Sequence, residues 1–283
     1  MELELDKLFD KRYIISRHSA SGGMADIYEA KDIIINKPVA LKFIKDKYLS
    51  DDLYVEQFKN EARYISIFNH PNIMKIYNVG VYNNVPYVSY ELLKGKTLKS
   101  VLDSRGKLSF DEVIDYMLQI LSGVQEMHNY SVLHNDLKPD NLFLLSDGTI
   151  RIVDFGAASH ISSKIDRVLG TVNYVAPEVI QNKKYSIQSD IYSLGIILFE
   201  LLTGELPFNG TNSIEVLNEH FNNERINISS RYLVNEKESF EIVINKASNR
   251  YANNRYKSVK EFIDDLTKIK RHESLIKKRK FFL

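Results

Sequence analysis

The run His134-Asn-Asp-Leu-Lys-Pro-Asp-Asn141, with Asp154-Phe155-Gly156 shortly after it, is the densest concentration of chemistry-bearing side chains in the chain. Between the two lie a pair of short apolar segments, Leu142 to Leu145 and Ile150 to Val153, joined by Ser146-Asp147-Gly148-Thr149. Asp-Gly between β-prone runs signals a hairpin turn. The spacing therefore predicts a hairpin that carries Asp154 back beside the loop holding Asp136 and Asn141. A carboxylate and a carboxamide oxygen converging from a strand end and a loop suit Mg²⁺, which keeps waters and takes few protein ligands. Asp136 adds the carboxylate that phosphoryl transfer to a hydroxyl would require nearby.

Outward from that core, the N-terminal side reads as strands from Tyr13 to about Lys94. Val39-Ala-Leu-Lys-Phe-Ile44 and Val85-Pro-Tyr-Val-Ser-Tyr90 are rich in β-branched and aromatic residues. Tyr54, Phe58, Ala62, Ile65 and Phe68 recur at helical steps and predict one interrupting helix. It should stop near Asn69-His70-Pro71, because proline disfavours α geometry in the residue before it. After Gly95 the pattern turns helical, with an apolar stripe of Val113, Met117, Ile120, Leu121, Val124 and Met127. Ile191 to Leu202 reads as a buried helix, short of the ~18 to 20 residues that span a bilayer. The expected architecture is α+β and bilobal. A small antiparallel β-rich lobe with one helix occupies residues 13–92, and a larger, mostly helical lobe occupies 96–270. Residues 1–12 form an N-terminal extension and 271–283 a basic tail.

The 283 residues are 44% hydrophobic and 27% charged, an ordinary globular composition. Lysine plus arginine number 38 against 37 acidic residues, so no global basic field invites nucleic acid. The absence of cysteine excludes a disulfide scaffold, a cysteine nucleophile and thiolate metal sites, and fits a reducing compartment. Met1 to Asp10 alternates acidic and apolar residues and does not read as a signal peptide, so the expected location is cytoplasmic.

Taken in order along the chain, these motifs resemble those of the eukaryotic-type protein serine/threonine kinase family, in its bacterial branch, from about Tyr13 to Ile269. The resemblance implies a kinase-like bilobal fold. It also implies transfer of the γ-phosphate of ATP to Ser/Thr hydroxyls of protein substrates, with autophosphorylation and with Mg²⁺, or alternatively Mn²⁺, as the metal. On this reading Asp136 orients the acceptor hydroxyl, Lys138 contacts the γ-phosphate, and Asn141 and Asp154 hold the metal. Val39-Ala-Leu-Lys42 matches the family's third-strand motif. A lysine on a strand that otherwise reads as core needs a charged partner, and Glu61 beside the helix stripe supplies it.

Ser19, Ala20, Ser21, Gly22 and Gly23 fall on the hairpin that covers the phosphates. Here the sequence departs from the family, because Ala20 and Ala25 replace the first and third glycines and Ser19 replaces an apolar roof over adenine. Alanine is costly there only if φ is positive. Glu91-Leu-Leu93 aligns with the hinge whose backbone bonds adenine, and Tyr90 controls access behind the purine. Ile27, Ala40 and Phe143 align with the residues above and below the ring. Gly170-Thr171 ahead of Ala176-Pro-Glu178, together with Lys138, resembles serine/threonine rather than tyrosine kinases. The resemblance gives structural roles to a Glu178–Arg255 salt bridge, to Asp190 against the catalytic-loop backbone, and to a packed His134 near Phe155.

Asn135 stands where regulated members carry an arginine that receives a loop phosphate. Asparagine cannot copy that charge-assisted contact, so activation should not require phosphate docked at Asn135. Ser159, Ser162, Ser163 and Thr171 are candidate autophosphorylation sites. Lys277-Lys-Arg-Lys280 reads as a solvated charge run, with contact to an anionic membrane surface as the alternative. Two other readings compete. One is a pseudokinase acting as a nucleotide-binding scaffold, motivated by the altered hairpin. The other is a small-molecule kinase, opposed by Gly170-Thr171, Ala176-Pro-Glu178 and Arg255.

Overall fold

A computed structural model describes residues 4–161, 171–222, 225–229, 236–273 and 275. Six antiparallel strands build the smaller lobe: β1 (Leu8–Phe9), β2 (Tyr13–Ser21), β3 (Ala25–Asp32), β4 (Lys37–Ile44), β5 (Ile76–Tyr82) and β6 (Val85–Glu91). Their spatial order is β1-β2-β3-β4-β6-β5. Alternation along β4 decides which side chains reach the cleft, since successive residues face opposite ways. Val39, Leu41 and Phe43 are buried on one face. There Phe43 packs edge-on against Phe9 at 5.2 Å and Phe9 against Tyr87 at 5.1 Å. The segment ahead of Tyr13 is thus packed on the sheet, tied further by Arg12 Nε donating to the buried Asp32 carboxylate at 2.8 Å. Ala40 and Lys42 occupy the other face with their cross-strand partners Tyr90, Val88 and Ile27.

Helix α1 (Asp52–Ser66) is capped by Asp51, whose side chain accepts from Leu53 N at 3.0 Å. It buries Phe58, Glu61, Ala62 and Ile65 against the sheet. It ends earlier than Pro71 demands. Ile67 and Phe68 donate to carbonyls three residues back, at 3.2 and 3.1 Å, so the chain tightens out of α geometry and Phe68 is buried beyond the helix.

The crossing to the larger lobe runs through β7 (Gly95–Thr97), which pairs with β9 (Leu142–Leu145). Any side chain at Gly95 would lie 1.9 Å from the Leu144 carbonyl oxygen, so glycine is required by that close approach. Helices α2 (Leu98–Arg105) and α3 (Phe110–Asn129) follow, the latter opened by a Ser109–Glu112 capping box. The short β8 (Val132–Leu133) leads into the loop that carries Asp136, and β9 pairs with β10 (Ile150–Ile152) through the Asp147-Gly148 turn. Gly148 takes φ of 85°, as that turn demands. β11 (Ser159–His160) returns to pair with β8.

The rest is helical: α4 (Pro177–Asn182), α5 (Ile187–Thr203), α6 (Ser213–Asn222), α7 (Lys237–Ala247) and α8 (Val259–Lys270). α5 is buried from Ser189 through Thr203 and forms the axis of this lobe. Among the described residues no helix is long and apolar enough to cross a membrane.

One buried charge makes this axis sensitive to pH. Glu200 of α5 is 4% exposed and accepts a 2.6 Å hydrogen bond from the Tyr174 hydroxyl. Burial raises its pKa despite that bond. The folded state therefore holds the proton to higher pH than the unfolded chain, and stability is lost as pH rises through the interval between the two values. Glu200→Gln keeps an acceptor for Tyr174 without the charge. Thermal unfolding from pH 4 to pH 8 should show the wild type losing stability relative to the variant as pH rises, with the gap closing at the acid end.

Candidate active site

On the sheet side, the Lys42 ammonium bonds both Glu61 carboxylate oxygens at 2.7 Å, joining β4 to α1. Burial works against the Lys42 charge, but Glu61 and Asp154 outweigh it and its pKa is raised. The Tyr90 hydroxyl donates to the same Glu61 carboxylate at 3.1 Å. Burial first, then Glu61, holds the Tyr90 pKa well above the ordinary phenol value, so it remains a donor.

On the helical side, Asp190 anchors the loop after β8. Its carboxylate accepts from His134 N at 3.1 Å and Asn135 N at 3.0 Å, with His128 Nε2 at 2.8 Å. His134 is fully buried, its ring 5.2 Å from that of Phe155 and its Nδ1 accepting from Asp136 N at 3.3 Å. These contacts point the Asp136 carboxylate into the cleft, where four donors surround it. Lys138 Nζ lies at 2.8 Å, Asn141 Nδ2 at 3.1 Å, Thr171 N at 3.1 Å and Thr171 Oγ1 at 3.4 Å. Lys138 also donates to Thr171 Oγ1 at 2.9 Å, so Thr171 is fastened to both Lys138 and Asp136.

Asn141 has its amide nitrogen on the Asp136 carbonyl at 2.8 Å, and its own carbonyl accepts from Val153 N at 2.9 Å. That bond holds Asp154 beside the loop. Asp154 adopts φ of 60°, a left-handed conformation that aspartate tolerates better than most residues, and accepts from Gly156 N at 3.2 Å. Among the described residues, no group of three or more His, Asp or Glu could hold a metal by itself. Asp154 and Asn141 offer one carboxylate and one carboxamide oxygen here, hard donors of the kind accepted by a cation that retains waters or phosphate oxygens.

A cavity of about 440 Å³ joins the two sides, lined by Gly22, Gly23, Ile27, Lys42, Glu61, Asp136 and Asp154. Tyr54, Gln57 and Phe58 line it too, along with Met24, Ile44, Gly156 and Ala157. Of these seven, Gly156 alone belongs to a motif that the sequence singles out for its chemistry. The signal was present for the helix members, since residues 54, 57, 58 and 61 fall on one helical face. Ser19, Ala20, Ser21, Ala40, Glu91, Leu93, Phe143, Lys138 and Asn141 lie outside this lining. Ala40 and Tyr90 pair across β4 and β6, and Phe143 lies on β9 opposite Thr97 and Arg151. The Glu91 carboxylate accepts from Arg151 Nε at 3.0 Å and Lys75 N at 2.8 Å, and Glu91 N is taken by the Lys75 carbonyl.

The hairpin between β2 and β3 is closed by Gly22 N on the Ala25 carbonyl at 2.9 Å and clipped by Lys45, whose ammonium reaches the Gly22 carbonyl at 2.5 Å. No residue from Ser19 to Ile27 takes a positive φ, so Ala20 and Ala25 adopt their conformations without the strain that would require glycine. Farther out, the Arg255 guanidinium is fully buried and bidentate on Glu178 at 2.7 and 2.8 Å, remote from Asp136 in role. Ser159 is buried, whereas Ser162, Ser163, Gly170 and Lys277 to Lys280 lie outside the described residues.

The protein kinase domain family matches residues 13–275 of the chain. A probable serine/threonine-protein kinase PknB of Lactococcus lactis is 34% identical over 271 residues, covering 93% of this chain and 43% of that protein. The serine/threonine-protein kinase PrkC of Bacillus subtilis is 35% identical over 266 residues, covering 93% and 41%. The serine/threonine-protein kinase PknL of Mycobacterium tuberculosis is 33% identical over 215 residues, covering 74% and 53%. The chain thus spans about two-fifths to one-half the length of these relatives.

Proposed function

We propose, because this chain belongs to the protein kinase domain family, that it transfers the γ-phosphate of ATP to serine and threonine hydroxyls of protein substrates. The observation that carries the reading is that Asp136, on the wall of the cavity that also holds the Lys42–Glu61 pair and Asp154, is surrounded from behind that wall by Lys138, Asn141 and Thr171. The unit doing this work is residues 13–270, and ATP as donor implies the cytoplasmic side of any membrane.

Asp136 accepts the proton side of the incoming hydroxyl and orients its oxygen toward phosphorus. Lys138, already 2.8 Å from Asp136, is placed to meet the γ-phosphate as charge develops there. Lys42 neutralises the α- and β-phosphates, and Glu61 stops it from wandering or losing its charge. The hairpin from Ser19 to Gly23 presents backbone amides over the phosphates. Ile27, Ala40 and Phe143 enclose the purine, whose edge meets the Glu91–Leu93 backbone; the N–H and carbonyl of Leu93 carry no bond among the described residues.

Glu61, Asp136 and Asp154 set three carboxylates against the two ammonium groups of Lys42 and Lys138, so a triphosphate entering alone would meet net repulsion. Asp154 and Asn141, whose Oδ1 accepts no bond among the described residues, would hold Mg²⁺, or Mn²⁺, which when bound neutralises phosphate oxygens. The altered hairpin is the one feature favouring a non-catalytic nucleotide-binding scaffold. Its backbone accommodates alanine, and that weakens the case.

Transfer of radiolabel from ATP to protein, followed by phosphoamino-acid analysis, tests the reading. Asp136→Asn should lower the rate about 10²- to 10⁴-fold, the range of a positioned general base. Equal labelling by the variant and the wild type would remove the proposal. Thr171→Val keeps shape but deletes the hydroxyl between Lys138 and Asp136. Steady-state kinetics should show kcat lower by about tenfold, the equivalent of one hydrogen bond to a charged group.

A further inference from the structure

The side chain of Asn135 has no part in the chemistry above, yet it is 8% exposed and reaches across to a different segment. Its Nδ2 donates to the Ala157 carbonyl at 2.8 Å and to Ser159 Oγ at 2.9 Å. A carbonyl oxygen only accepts, so the Ala157 contact settles which end of the amide faces the segment. Both amide hydrogens are engaged, and the buried Oδ1 has no partner among the described residues. The backbone at Asn135 has φ of 67°, where asparagine is among the few residues tolerated.

The segment so gripped begins immediately after Asp154-Phe155-Gly156. Beyond the pairing of β11 with β8, Ile161 N donates to the Ser131 carbonyl at 2.9 Å, and His160 N donates to the Tyr64 hydroxyl of α1 at 3.2 Å. Asn135 is adjacent to Asp136 on one side and binds the residue after Gly156 on the other. It is therefore a direct strut between the loop bearing Asp136 and the turn bearing Asp154.

We propose that Asn135 is a positioning residue. Its uncharged amide fixes the distance between Asp136 and Asp154 and holds the segment after Gly156 in its working place with no phosphate on that segment. The catalytic half of this inference rests on the kinase reading; the latch itself does not.

Two variants keep the left-handed backbone. Asn135→Gly deletes the amide, and Asn135→Asp sets an oxygen against the Ala157 carbonyl. Ser159→Ala removes one of the two acceptors. In both Asn135 variants kcat should fall at least tenfold while the KM for ATP changes less than twofold. Backbone amides of His160 and Ile161 should exchange with solvent at least tenfold faster than in the wild type. Ser159→Ala should cost about threefold in kcat, and adding it to Asn135→Gly should cost nothing more.

Unchanged exchange in both Asn135 variants would overturn the latch. Faster exchange with kcat within twofold of the wild type would make the contact merely structural and overturn the positioning role. Phosphatase treatment of the wild type should leave activity within twofold, and a loss beyond tenfold would overturn the phosphate-free claim. Hydrogen exchange needs no turnover. A wild type that transfers no phosphate at all would therefore defeat the kinase reading while the latch is still decided.

Discussion

The carboxylate of Asp190 is the constraint from which the catalytic side of the molecule is built. It is 1% exposed near the start of α5, and a carboxylate so placed is tolerable only if fully partnered. Its partners are the successive backbone N–H groups of His134 and Asn135, with His128 Nε2 completing the set. Hydrogen bonds to a charged group contribute about 1.5 to 3 kcal/mol each. Two neighbouring N–H groups can aim at one anion only if the chain turns sharply between them, in the manner of an anion-binding nest. The positive φ of Asn135 is that turn. Asp136 thus inherits its direction from α5, buried from Ser189 through Thr203.

The sheet side obeys a different rule. Lys42 reaches the cleft because it alternates with Val39, Leu41 and Phe43, which the aromatic cluster of Phe9 and Tyr87 buries behind the sheet. A slip of one residue in pairing would put apolar side chains into the site and the lysine into the core. The pairing of Ile27 with Lys42 and of Lys42 with Val88 fixes the register from both sides. Glu61 then locks the orientation of α1, since no other residue of that helix meets the ammonium. Asp154 couples the two sides, because its charge supports that of Lys42 across the cavity.

Much of this was legible because motif residues carry their own physical requirement. A lysine in a core strand demands a carboxylate, and Glu61 was the one residue positioned to supply it. Asp-Gly between two apolar runs demanded a hairpin, and β9 with β10 is that hairpin. The all-apolar run of α5 could only be an axis. What stayed hidden depends on partners distant in the chain. Helical spacing puts Tyr54 and Gln57 on the face of Glu61, but that this face lines a cavity rather than the core depends on β3, β4 and Asp154 across from it. The pairing of Glu91 with Arg151 bridges residues that no local spacing brings together. The early end of α1 reflects tightened bonding at Ile67 and Phe68, whereas the proline marks only the latest point at which a helix could stop. Phe9 was hidden for the same reason: its role comes from the ring contacts it finds.

A strut made of neutral hydrogen bonds has a consequence for control. Each such bond contributes about 0.5 to 1.5 kcal/mol, against roughly twice that for a charge-assisted contact. Two of them from Asn135 Nδ2 are enough to bias a segment toward one position by about one order of magnitude or more, and the one to the Ala157 carbonyl offers no group that a phosphate could modify. Regulation that leaves Ser159 unmodified must therefore act through the remaining ties. The tie that crosses between lobes is Tyr64 of α1 to His160 N, carried on the same helix that presents Glu61 to Lys42. A displacement of α1 would break both contacts together, separating Lys42 from its carboxylate and loosening the segment after Gly156 in one movement. The geometry makes that helix, rather than the loop, the point where a signal could be felt.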